Sequence, residues 1–131
     1  MAVELRILTF GAILLLVHIF AAVHLKTQQY GTKWNMGPRD EAVAPLSPLA
    51  GRLARAQANF LETFPIAIVA LLGVVVANRT NSTTALGGWI WLGARIVYLP
   101  LYAAGVPVVR TIAFIVSIVG LALVIRPLLF G

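Results

Sequence analysis

The sequence predicts an all-α integral membrane protein, a four-transmembrane-helix bundle. Three observations predict it. Of 131 residues, 60% are hydrophobic and only 11% charged, whereas a soluble domain is about half apolar and about a quarter charged. The apolar residues fall into long runs separated by polar connections that carry glycine and proline. The charges lie at the ends of those runs, or inside them on one helical face.

The first run, Ile7 to Leu25, predicts a span over about residues 5–26. At about 1.5 Å per residue it crosses a hydrocarbon core of about 30 Å. A signal peptide is the competing reading. Glu4 beside Arg6 and the lack of a clear small-x-small cleavage site favour a retained helix. His18, inside the span, reads as a histidine hydrogen-bonded between helices. Lys26 to Gly51 is a long polar connection. Gly37-Pro38-Arg39-Asp40 reads as a turn in it, and Tyr30 and Trp34 suit the headgroup level.

Ile66 to Ala77 rises only about 18 Å, too short to span alone. The second span is therefore expected over about residues 52–77. That brings Glu62 and Asn59 within the membrane. Pro65 then removes the bond to the Leu61 carbonyl and kinks the helix. Asn78 to Thr84 holds two N-x-[ST] sequons, which read as helix stop and start signals. A third span is expected over about residues 84–104, where Gly87, Gly88 and Gly93 allow close helix approach. Pro100 puts a second kink there. Gly105-Val106-Pro107 makes a tight turn into a fourth span over about residues 107–129. The side bearing the long loop holds Lys26, Lys33, Arg39, Arg52, Arg55 and Arg110; the other holds Arg6, Arg79 and Arg126. The excess predicts a cytoplasmic 27–51 loop, with both termini outside.

The chain has no cysteine and two histidines. It therefore lacks a disulfide, a zinc-thiolate site or a cysteine nucleophile, and no metal is expected. Thiol chemistry would need a small molecule to bring the thiol. The net charge of +6 fits membrane orientation and anion binding better than nucleic acid, given where the basic residues fall.

Arg52, Arg55, Asn59 and Glu62 fall at i, i+3, i+7 and i+10, on one narrow helical face. Arg95, Tyr98 and Tyr102, at i, i+3 and i+7, form a second stripe. A charge at the centre of a membrane helix costs about 2.5–3.5 kcal/mol on insertion scales, so these residues need partners. One reading is structural, with Glu62 paired to Arg55 or Arg95. The other is a ligand site. Arg52, Arg55, Arg95 and Arg110 outnumber Glu62, so a ligand with carboxylates for the arginines and an amine for Glu62 fits the balance. Arg110 reads either as a snorkelling helix-end arginine or as the group that holds an anion formed in reaction. A guanidinium beside a thiol favours the nucleophilic thiolate. Tyr98 and Tyr102 are either hydrogen-bond donors or helix-interface aromatics.

Arg55-Ala-Gln-Ala-Asn59-Phe-Leu-Glu62-Thr-Phe-Pro65 resembles the second-helix signature of the membrane-associated proteins in eicosanoid and glutathione metabolism, the MAPEG family. Ala94-Arg95-Ile-Val-Tyr98, Leu101-Tyr102 and Arg110 after the turn resemble it too, and Gly37-Pro-Arg-Asp-Glu41 looks like its bacterial members. Phe60 departs from the pattern, standing where several members carry an acidic residue. The resemblance implies a homotrimer in a bacterial inner membrane, with glutathione as co-substrate between subunits. It implies a membrane-bound glutathione transferase, with or without peroxidase activity, acting on lipophilic electrophiles that enter from the lipid. Arg55, Asn59 and Glu62 would bind the glutathione backbone, with Glu62 on the γ-glutamyl amine. Arg95, Tyr98 and Tyr102 would complete the pocket, Arg110 would activate the thiol, and Arg52 and Gln57 are further candidates. The alternative is a non-catalytic, lipid-binding or scaffolding member of the same fold.

Overall fold

The computed structural model describes residues 1–130, which form five helices and no strand. They are α1 (Val3–Tyr30), α2 (Thr32–Met36), α3 (Pro48–Val76), α4 (Ser82–Ala103) and α5 (Pro107–Phe130). α1, α3 and α5 are each long and apolar enough to cross a membrane. α4, diluted by three glycines, Arg95 and its leading Ser-Thr-Thr, is not among them. Large side chains such as Phe20 on α1 and Val69 on α3 are 64% and 67% exposed, as lipid-facing surface requires.

The long connection is more ordered than its polar composition suggests. Gly31, with φ 97°, ends α1 and leads into the one-turn α2, an element the periodicity did not predict. The Gln29 side chain then holds the returning segment of the loop. Its Nε2 donates to the Pro45 carbonyl and its Oε1 accepts from the Ser47 amide, both at 2.8 Å. The Tyr30 hydroxyl donates to the Ala44 carbonyl. Ser47 caps α3, accepting from the Ala50 amide, with Pro48 in the first turn. α3 therefore begins four residues before Arg52. Pro48 read as a loop residue from sequence, but at the first helical position its missing N–H is one the helix would not use.

Two tight turns join the remaining helices. Asn78, at φ 57°, closes α3; the Arg79 and Asn78 amides donate to the Val74 and Val75 carbonyls. Asn81 caps α4 reciprocally with Thr84. Asn78 and Asn81 thus act as the stop and start the sequons suggested.

α4 packs directly on α5 through glycine. A methyl on Gly87 would sit 2.5 Å from the Gly120 carbonyl oxygen, and one on Gly120 would sit 2.6 Å from that of Gly87. Gly88 meets Ile7 and Leu71 in the same way. Gly93 does not share this role, because it looks onto open space. Ile7, Leu14, Phe60, Phe64, Leu71, Trp91 and Leu121 fill the core. Trp91 packs over Gly11, where a methyl would come within 2.6 Å of the indole. At the rim, the buried Thr84 hydroxyl donates to buried Glu4 Oε1 at 2.7 Å. This pins the first turn of α1 to the first turn of α4.

Gly120→Ala should destabilise the detergent-solubilised protein by about 1–3 kcal/mol, as overpacking does. Gly93→Ala should leave it unchanged. Equal melting temperatures for the two variants would contradict the close α4–α5 contact.

Candidate functional site

Toward the loop end of the bundle, α3, α4 and α5 enclose a cavity of about 390 Å³. α3 contributes Arg55, Ala58, Asn59 and Glu62; α4 contributes Tyr98 and Tyr102. α5 contributes Arg110, Thr111 and Phe114. The two polar stripes and the arginine after the turn therefore face one space. Residues 55, 59 and 62 meet there because they share a helical face, and Tyr98 and Tyr102 because they stand one turn apart.

Arg95 lies beneath this cavity, fully buried. Its Nη1 donates to Asn59 Oδ1 at 2.8 Å. Its Cζ stands 4.1 Å from the Tyr98 ring centroid, 5.2 Å from that of Phe60 and 5.8 Å from that of Phe114. A buried guanidinium is thus held by one amide and three aromatic faces. Among the described residues, no arginine or lysine nitrogen lies within 4.0 Å of a carboxylate oxygen, so Glu62 is paired with neither Arg55 nor Arg95. The closed salt-bridge reading does not describe this fold. Arg110 stacks on Tyr102, with Cζ 4.5 Å from its centroid, and Tyr102 meets Tyr98 edge-on at 5.5 Å. The Thr111 hydroxyl is occupied, donating to the Pro107 carbonyl at 3.0 Å.

Two expected residues lie elsewhere. Arg52 is outside the cavity lining, and its Nε donates to the Ala103 carbonyl at 2.8 Å. Gln57, half-buried, is also outside it. His18 is buried without a hydrogen-bond partner on either nitrogen and stacks on Phe60, ring centroids 4.9 Å apart. Its role between helices is aromatic packing rather than a protein–protein hydrogen bond. Phe60 is therefore the ring between His18 and Arg95. Ala58, Thr111 and Phe114 were not singled out from sequence. Periodicity could have found two of them: Ala58 lies between Arg55 and Glu62 on the same face, and Phe114 follows Arg110 by one turn.

The cavity offers cations in excess of carboxylates, with aromatic rings behind them. Arg55, Ala58 and Glu62 are exposed at its edge, so this chain walls one side and leaves the other open. Such a site can take an amphoteric anion and favour a second negative charge forming close to Arg110.

The model of the MAPEG family matches residues 7–129. No curated protein and no solved structure matches the chain.

Asn59→Leu should remove the one side-chain acceptor of buried Arg95 and cost about 1.5–3 kcal/mol, the range for a hydrogen bond to a charged group. Thermal unfolding in detergent measures it. An unchanged melting temperature would mean that the aromatic faces alone hold the guanidinium.

Proposed function

We propose a function that starts from kinship: this chain belongs to the MAPEG family, and it acts as a membrane-bound glutathione transferase. The observation that carries this reading is the shared cavity, where Arg55, Arg110 and the underlying Arg95 outnumber Glu62. Glutathione brings what that balance lacks: two carboxylates, one ammonium and the thiol a cysteine-free chain cannot supply. Arg55 and Asn59 bind its backbone, and Glu62 takes the γ-glutamyl amine. Arg95, Tyr98 and Tyr102 shape the floor. Arg110 stabilises the thiolate after the thiol proton leaves to solvent, since an adjacent cation favours the charged form. The thiolate attacks an electrophilic carbon of a lipophilic substrate arriving from the bilayer, forming a thioether as the leaving group departs. A peroxidase activity would use the same thiolate: two glutathiones reduce a lipid hydroperoxide to alcohol and water and leave as the disulfide.

On this reading α4 also crosses the membrane, since 22 residues rise about 33 Å. The protein is a homotrimer whose neighbouring copy covers the open edge at Arg55, Ala58 and Glu62. It sits in a bacterial inner membrane with the 27–51 loop cytoplasmic, following the basic excess on that side.

Adding glutathione should raise the melting temperature and generate thiolate absorbance in the ultraviolet. At a hundred times Kd, ligand binding stabilises by about 2.7 kcal/mol. Arg110→Ala should lower the thiolate signal and the conjugation rate by about tenfold or more, a loss of about 1.4 kcal/mol of transition-state stabilisation. Glu62→Gln should weaken glutathione binding while leaving the fold intact. A protein that neither warms nor forms thiolate with glutathione would instead be the lipid-binding or scaffolding member of the fold.

A further inference from the structure

Arg52 shares the helical face of the cavity residues but does not reach the cavity. We infer that it is a positioning residue, a latch that fixes the α4–α5 turn and, through it, the placement of Arg110 over the site. Its consequence for catalysis rests on the proposed glutathione chemistry; the latch itself does not.

The hydrogen bonds at the end of α4 carry the argument. A helix leaves its last carbonyls without intrahelical partners, and each must find another. Here the Pro100 carbonyl accepts from the Ala104 amide, Leu101 from Val106 and Tyr102 from Gly105. The last one, Ala103, accepts from Arg52 Nε at 2.8 Å. The backbone turn therefore satisfies three carbonyls, and a side chain from another helix satisfies the fourth. That side chain is cationic and sits at the negative end of the α4 dipole, where a positive charge is favourable.

The contact also constrains the turn itself. Gly105 adopts φ 76°, and a methyl placed on it would lie 3.7 Å from Arg52 Cδ, Cζ and Nε. Arg52 thus lies along the turn backbone. α5 begins two residues later at Pro107, and Arg110 stands in its first turn, stacked on Tyr102 of α4. A shift of the turn moves both ends of that stack. The spacing of Arg110 from the rest of the cavity is set by this turn more than by any hydrogen bond of its own.

The test uses the full-length protein in detergent, with Arg52→Met, which keeps the apolar stem and loses the donors, and Arg52→Lys, which keeps a charge. Hydrogen–deuterium exchange is followed over residues 100–110, and conjugation kinetics are measured in parallel. For Arg52→Met the turn amides should exchange about tenfold faster. The kcat should fall about tenfold, with KM for glutathione changed by less than about threefold. Arg52→Lys should recover most of both losses. Unchanged exchange in Arg52→Met overturns the latch. A rise in KM with kcat intact overturns it too, making Arg52 a ligand contact, and faster exchange with unchanged kinetics overturns the link to Arg110. If even the wild-type protein fails to use glutathione, the proposed function falls and exchange alone still decides the latch.

Discussion

The structure depends on holding one fully buried guanidinium where water cannot reach it. Arg95 sits between α3, α4 and α5 with a single side-chain hydrogen bond, to Asn59. A charge in that setting is expensive, and the protein offsets it with ring faces rather than a counter-ion. Phe60, Tyr98 and Phe114 each come from a different helix. Satisfying one charge therefore fixes the mutual rotation of three helices. The cavity above inherits its shape from that constraint: Asn59 and Tyr98 line it because they already hold Arg95.

An uncompensated positive group under a cavity also determines what the cavity can bind. Glu62 stands at the exposed edge without an arginine partner, so both signs of charge remain available to a guest. Close helix contact was built elsewhere by a different device, the Gly87–Gly120 contact, which needs no polar atoms from side chains. The close glycine contacts thus lie toward the α4 start, and the excess of arginine over carboxylate toward its end.

Much of this was legible in the sequence where local rules operate. Asn81 caps α4 and Asn78 closes α3 because short-range hydrogen bonding of asparagine is a local property. The stripe from Arg55 to Glu62 shares a cavity because helical periodicity alone puts it on one face. Arg52 shares the angle of that stripe but not its height: one turn before Arg55 along the axis, it meets the end of α4 rather than the cavity. Periodicity reports direction around a helix and says nothing about what stands opposite. The same limit hid the partners of buried side chains. Glu4 read as a charge before an apolar run, and only tertiary structure brings Thr84 to it. His18 gave no sign that its neighbour would be a phenyl ring.

The Glu4–Thr84 bond also bears on biosynthesis. Chains are made from the N-terminus, so α1 is translated before α4. Its carboxylate must then wait for a hydroxyl 80 residues downstream. Until α4 has been translated and delivered, the Glu4 carboxylate at the head of α1 is without its hydrogen-bond donor. The head of α1 therefore reaches its final contact only once the α4 entry turn, with Asn81 and Thr84, is in place.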